Sequence, residues 1–134
     1  MTKDRQGSIQ RISTTTAPQA IGAYVQATAS EGRFVFVSGQ LPLDPVGGEI
    51  VAGDIEQQVR QSMNNLGEIL KEAGLSLNSL VKTTVYVTDM TLFPVVNRAY
   101  ASFFPDGHYP ARAVVEVSAL PRGCQVEIEG IAVG

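Results

Sequence analysis

The 134-residue sequence contains one cysteine, one histidine and no run of basic residues. The single Cys124 excludes a disulfide within the chain and any multi-cysteine zinc site, and His108 is too isolated to complete a metal site. A net charge of −3 gives no electrostatic footprint for a nucleic acid. No segment is apolar for long enough to cross a bilayer, and residues 1–8 are too polar for a signal peptide. We therefore expect a soluble cytoplasmic protein that binds neither nucleic acid nor membrane and holds no metal or cofactor.

Two common kinds of chemistry are also missing. Ser38 and Cys124 lack an identifiable base, because the only histidine, His108, lies in a turn-rich stretch where we expect it to be exposed. Gly47-Gly48 lacks the lysine and the helix start that a phosphate loop requires. Any chemistry must therefore use Arg, Glu, Tyr, Ser and backbone groups, which limits the protein to easy reactions.

The composition, with 44% hydrophobic and 17% charged residues, is typical of one globular domain. We expect a flexible polar arm over residues 1–8 and a single domain over residues 9–134. Asp54 is placed to cap a helix that Gly74 ends, and Asp89 or Thr91 is placed to cap a second. Period-two or apolar runs predict strands over residues 8–13, 34–39, 80–87, 111–117 and 125–133, and residues 20–27 predict a turn followed by a further strand.

This order of elements predicts an α+β fold in which the two helices cover one face of a sheet. The other face must then meet water or a partner. Residues 34–37 are apolar throughout, as in a strand that is buried on both faces, so we favour burial in an oligomer.

Arg112 is the principal candidate for binding. It follows Pro110 at the start of the β-branched run 113–117, where a guanidinium could grip a planar carboxylate with two hydrogen bonds. The alternative is a solvated arginine at a strand end. Glu127 and Glu129 share one strand face with Ile131, so they are candidates for partial burial, although Glu129 fits an edge-strand charge better. Glu116 lies about 13 Å along the strand from Arg112, which makes it a poor direct partner.

The sequence closely resembles the RidA/YjgF family of reactive-imine deaminases from Ala17 to Val133. Several motifs in the right order carry the resemblance: residues 20–26 (AIGAYVQ), 37–40 (VSGQ), 81–87 (VKTTVYV), 96–97 (VN), 109–112 (YPAR) and 126–129 (VEIE). The resemblance implies a chorismate-mutase-like mixed β-sheet with two helices on one face. It also implies a homotrimer with sites between subunits and the hydrolysis of 2-iminopropanoate, the tautomer of 2-aminoacrylate, to pyruvate and ammonia.

Roles follow from the same motifs. The resemblance implies that Arg112 binds the substrate carboxylate, that Glu127 orients the attacking water and that Tyr24, from the neighbouring subunit, hydrogen-bonds the substrate. It places Ser38 and Gly39 in the pocket lining and gives Asn97 a supporting role. Val114 also falls in the pocket, where many members carry cysteine; we expect this position to act through its backbone.

The chain departs from the family at Ala23, where proline usually precedes the tyrosine, so the turn at Tyr24 is less fixed in advance. Two other functions stay open: a binding module that senses keto acids without turnover, and a ribonuclease or translation inhibitor. The sequence does not identify the physiological substrate, which the loop Leu41–Gly53 could tune.

Overall fold

A computed structural model describes the backbone of residues 2–6 and the whole of residues 9–134. Its strands are β1 (Thr2–Gln6), β2 (Ile9–Ser13), β3 (Ala27–Ser30), β4 (Phe34–Gln40), β5 (Leu80–Val87), β6 (Ala111–Glu116) and β7 (Val126–Val133). Its helices are α1 (Ile55–Glu72) and α2 (Phe93–Ala101), with single 3₁₀ turns at Leu77–Ser79, Met90–Leu92 and Pro121–Gly123.

The strands form two sheets. One has the order β1-β2-β3 and is antiparallel throughout, and the other has the order β4-β7-β5-β6, in which only β5 and β6 run parallel. Residues 1–8 were expected to form a flexible arm. Within this range, β1 pairs antiparallel with β2. Residues 1, 7 and 8 lie outside the described residues, including Ser8, the predicted first residue of β2. The division into an arm and a domain stays a prediction.

Helix α1 begins and ends where the sequence predicts. The carboxylate of Asp54 accepts a hydrogen bond from the Gln57 backbone N–H at 3.3 Å, and Gly74 follows the helix with a φ of +79°, which suits glycine. The stripe that faces the sheet is fully buried: Val59, Met63, Leu66 and Leu70. Both helices pack on the same face of the four-stranded sheet, against Val85, Val126, Ile128 and Ala132.

On the other face of this sheet, Ile9 of β2 packs against Ile131 and Val133 at one end, and the rest of the face is open within one chain. The side chains of Phe36 and Phe34 are 74% and 44% exposed, and Val115 on β6 is 40% exposed. β4 was expected to be buried on both faces, and a single chain buries only one. No helix among the described residues is long and apolar enough to span a membrane.

The segment before β3 differs from its prediction. Residues 20–27 were expected to turn into a strand, but β3 begins only at Ala27, and residues 20–26 form an irregular loop. The Val25 N–H donates to the carbonyl of Pro110 at 3.3 Å, and this hydrogen bond holds the loop beside the first residue of β6, Ala111. The loop is therefore brought next to Arg112.

Candidate functional site

Arg112, the second residue of β6, lies in a group of side chains from three parts of the chain. Its Nη1 donates to Oδ1 of Asn97 at 2.8 Å. Its guanidinium carbon lies 4.9 Å from the ring centre of Tyr100, 5.6 Å from that of Phe93 and 5.7 Å from that of Tyr24. We call these five residues the arginine half-site.

Helix α2 supplies three of the five members. Phe93, Asn97 and Tyr100 are spaced by four and three residues, which places them on one helix face. Tyr100 is fully buried, and its hydroxyl shares a 2.8 Å hydrogen bond with the Oγ1 of Thr83 on β5. Desolvation raises the pKa of Tyr100 to about 12, so its ring stays neutral beneath the guanidinium.

The arginine half-site holds a cation without a carboxylate. Among residues 9–134 the ion pairs join Arg60 to Glu56 and Arg122 to Glu49, and neither includes Arg112. Burial lowers the pKa of Arg112 from its ordinary value, but a guanidinium remains charged near neutral pH. Aromatic faces stabilise such a charge without neutralising it. The half-site is therefore suited to an anion. Because Arg112 is half-buried among these side chains, it is not a solvated arginine at a strand end.

The loop 20–26 closes one side of this half-site. The Tyr24 hydroxyl accepts a hydrogen bond from the Ile21 backbone N–H at 3.3 Å, which leaves its own proton free to donate elsewhere. Ala23 is 3% exposed and belongs to the core, so it anchors the loop. Tyr24 was expected to reach the substrate from the neighbouring subunit, and this stays a prediction; within one chain its ring centre lies 5.7 Å from the guanidinium carbon of Arg112.

Glu127 lies elsewhere, on β7 beside the end of β4. A Cβ added to Gly39 would overlap the carboxylate of Glu127, so the absence of a side chain at Gly39 is what leaves room for it. The neighbouring Ser38 is exposed, and its carbonyl accepts from the Gln40 side chain at 3.1 Å. We call Glu127, Gly39 and Ser38 the glutamate half-site.

The two half-sites lie on opposite faces of the sheet. Arg112 is in register with Thr83, and Glu127 is in register with Tyr86, both on β5. Paired residues share a face and residues three apart on a strand do not, so Arg112 points to the helix side and Glu127 to the open side. A single chain therefore cannot present Arg112 and Glu127 to one small ligand.

The remaining candidates have simpler surroundings. Val114 is half-buried and packs against the core. Glu116, expected to be a poor direct partner of Arg112, accepts a 2.7 Å hydrogen bond from the Met90 backbone N–H. Glu129 is half-buried. His108 was expected to be exposed; it is half-buried instead, with a buried Nδ1 that has no hydrogen-bond partner among the described residues.

Sequence reasoning missed Phe93, Tyr100 and Thr83. Phe93 and Tyr100 share a predicted helix with Asn97 at helical spacing, and this spacing was a usable signal for one face. Their contact with Arg112 was not predictable, because it depends on β6 lying parallel beside β5.

The loop predicted over residues 41–53 borders a groove of about 520 Å³ between Gly39 and α1. Leu43 and Asp44 line it from the loop, and Asn65 and Glu68 line it from the helix. The Asn65 amide fixes the loop by donating to the carbonyls of Leu41 and Leu43, at 3.1 and 2.9 Å. Because Gly39 belongs to both the groove and the glutamate half-site, the loop lies next to that half-site.

Comparison with known proteins decides the family. A family model described as Endoribonuclease L-PSP matches residues 14–134. The chain belongs to this family, the RidA/YjgF family. The mouse protein named 2-iminobutanoate/2-iminopropanoate deaminase is 52% identical to this RidA/YjgF chain, over 91% of this chain and 89% of the mouse protein.

Solved structures of RidA/YjgF relatives have the same fold as this chain. The YjgF gene product of E. coli is 45% identical, with a TM-score of 0.72 over 92% of this chain and 97% of that one. E. coli TdcF, solved with bound serine, is 44% identical, with a TM-score of 0.72 over 92% of this chain and 98% of its own. The family predicted from the motifs is thus confirmed, and so is the mixed α+β architecture with two helices.

Proposed function

We propose that this RidA/YjgF protein hydrolyses small α-imino acids, with 2-iminopropanoate converted to pyruvate and ammonia. The observation that carries the proposal is the half-buried guanidinium of Arg112, which among residues 9–134 faces three aromatic rings and an amide but no carboxylate. A small carboxylate would complete this arrangement. Relatives at about 50% identity carry the name 2-iminobutanoate/2-iminopropanoate deaminase, which supports the same substrate class.

In this proposal Arg112 binds the substrate carboxylate. Asn97 already occupies its Nη1, so the remaining N–H groups of the fork face the ligand. The Tyr24 hydroxyl accepts from Ile21 and donates its proton to the substrate. Both groups hold the imine carbon in one place, and such positioning provides much of the rate acceleration in a reaction of this kind.

Glu127 orients the water that attacks the imine carbon. As the C–O bond forms, Glu127 takes one proton from the water, and it then returns that proton to nitrogen. The C–N bond breaks, and ammonia leaves with the electron pair. Glu127 takes the proton of the remaining hydroxyl and passes it to ammonia, so the protonated imine and water give the keto acid and ammonium. A protonated imine is already electrophilic, so the roughly hundredfold to ten-thousandfold gain from a positioned carboxylate is a sufficient contribution.

The complete site, in this proposal, uses two copies of the chain. The arginine half-site of one copy and the glutamate half-site of the next would meet in a homotrimer of chorismate-mutase-like subunits. The two half-sites lie on opposite faces of one sheet, which supports this assembly. The exposed Phe36, Phe34 and Val115 support it further, because an apolar sheet face of this kind is usually covered by a partner.

The test of the activity follows the loss of imine from a generator of 2-aminoacrylate. Arg112→Ala should abolish the enzymatic loss, because the carboxylate has no other cation in its half-site. Arg60→Ala removes an exposed arginine that pairs with Glu56 on α1, and it should leave the rate unchanged. Equal rates for Arg112→Ala and the wild type would refute the proposal.

The test of the shared site mixes two inactive variants. Arg112→Ala keeps Glu127, and Glu127→Gln keeps Arg112, so mixed assemblies contain some sites with both native side chains. Random mixing at equal amounts should restore about one quarter of the wild-type activity in a cyclic trimer. If the site lay within one chain, the refolded mixture would stay inactive.

The same experiments separate the other two functions. A keto-acid sensor would bind pyruvate in calorimetry, and neither the wild type nor Glu127→Gln would consume imine. A ribonuclease would cleave RNA with Arg112→Ala as well as with the wild type. The net charge of −3 gives little support for RNA binding.

A further inference from the structure

Gly22 lies in the middle of the arginine half-site. A Cβ built on Gly22 would lie 3.6 Å from Nη2 of Arg112, 3.7 Å from Nδ2 of Asn97 and 3.8 Å from Cε1 of Tyr24. These are ordinary van der Waals distances, so the point is close to three functional side chains at once and overlaps none of them. A ligand atom at this point would touch all three.

The backbone around Gly22 is held in place. Its carbonyl accepts a 2.9 Å hydrogen bond from the Tyr24 N–H, and the next residue, Ala23, is buried in the core. Val25 is bonded to the carbonyl of Pro110, two residues before Arg112. The buried Ala23 and the hydrogen bond from Val25 to Pro110 thus fix the position of Gly22 relative to the guanidinium.

Glycine is not required here by backbone conformation. The φ of Gly22 lies outside the left-handed region, where the positive-φ glycines of the described chain, such as Gly74, are found. Neither strain nor a clash within the folded chain therefore explains why this position lacks a side chain. The space itself is what an alanine would remove.

We propose that Gly22 is a substrate-positioning residue, which keeps open the space where the substrate carboxylate meets Arg112. This inference rests on the proposed function, in which Arg112 binds that carboxylate. The space beside Nη2 then belongs to the carboxylate end of the substrate and not to its aliphatic end. Filling it penalises every α-imino acid alike, whatever its chain length.

The experiment compares Gly22→Ala with the wild type and with Gly67→Ala. Gly67 lies in α1, and a Cβ there would also make only ordinary contacts, the shortest 3.6 Å to Leu77, so it is a matched control. Gly22→Ala should keep or slightly raise the thermal midpoint, because alanine restricts the unfolded chain more than glycine does. A merely structural role for Gly22 would lower the midpoint instead.

The functional readouts are the KM for imine turnover and the dissociation constant of pyruvate measured by calorimetry. Gly22→Ala should raise both by about 10- to 200-fold, the usual effect of one misplaced methyl group in a tight site. Gly67→Ala should change neither. The ratio of kcat/KM between 2-iminopropanoate and 2-iminobutanoate should stay at its wild-type value, because the two substrates differ only at the far end.

Three results overturn the inference while Arg112→Ala remains inactive: wild-type KM and pyruvate affinity in Gly22→Ala, a changed ratio between the two substrates, or a lowered thermal midpoint. If Arg112→Ala kept full activity, the proposed function itself would fail, and the inference with it. The arginine variant thus distinguishes the two failures.

Discussion

The buried hydrogen bond between Thr83 and Tyr100 fixes the ring that packs against Arg112. Its removal should destabilise the folded chain. Thr83→Val keeps a β-branched side chain in β5 but leaves the Tyr100 hydroxyl without its partner. Both residues are fully buried and the bond is 2.8 Å long, so water cannot replace Thr83. An unsatisfied buried hydroxyl costs about 1–3 kcal/mol, so we expect the free energy of unfolding to fall by this amount.

The double variant Thr83→Val/Tyr100→Phe provides the decisive comparison. It removes both polar groups at once and keeps the ring beneath Arg112, so it should lose less than about 1 kcal/mol. The two substitutions should therefore be strongly non-additive, with Tyr100→Phe relieving the cost of Thr83→Val. Urea unfolding followed by far-UV circular dichroism measures these differences, at one protein concentration because the stability of any associating chain depends on concentration. A double variant that lost the sum of the two single effects would refute the reasoning.

The same tyrosine predicts a dependence of stability on alkaline pH. The pKa of Tyr100 is about 12 in the folded chain and close to 10 in the unfolded chain, so the unfolded chain releases this proton first. Below pH 10 the proton is bound in both states and the group contributes nothing to the slope. Between pH 10 and 12 the wild type should lose about 1.4 kcal/mol per pH unit relative to Tyr100→Phe. A difference between the two proteins that stayed constant over this interval would contradict the burial of the hydroxyl.

Three further substitutions test the two half-sites and the open face. Asn97→Asp should give Arg112 a permanent counter-ion at the position now 2.8 Å from Nη1, and a pyruvate titration should show binding weakened by at least about tenfold. Gly39→Ala should displace the Glu127 carboxylate, so steady-state kinetics should show a lower kcat with pyruvate affinity unchanged. Phe36→Asp should place a charge on the open sheet face, and sedimentation should show dissociated chains that keep their circular dichroism but not their activity. Retained assembly in the last variant, or unchanged kinetics in the first two, would count against the placement of these residues.

Local patterns predicted the elements whose stability is local. The cap at Asp54 and the glycine at Gly74 determine both ends of α1, and the alternation along residues 80–87 reproduces the buried side chains of β5. The start of β3 was wrong because Tyr24 and Val25 have strand-like side chains but are held in a loop by contacts with distant residues. Tertiary contacts overrode the local preference there.

The site was predictable only where a single residue type carries its chemistry. The fixed charge of Arg112 and the carboxylate of Glu127 are visible in the sequence. The ring of Tyr100 beneath the guanidinium depends on the register between β5 and β6, which no local pattern encodes. The sequence also could not show which residues of β4 a single chain leaves exposed, such as Phe36. An apolar strand has the same pattern whether its own chain or another copy covers it.

The placement of Arg112 and Glu127 on opposite sides of one sheet has a consequence for damage. If each copy contributes its guanidinium to a site with one neighbour and its carboxylate to a site with the other, a chain that has lost both side chains inactivates two sites. A minority of such chains would then inactivate a larger fraction of the sites than their own fraction of the chains.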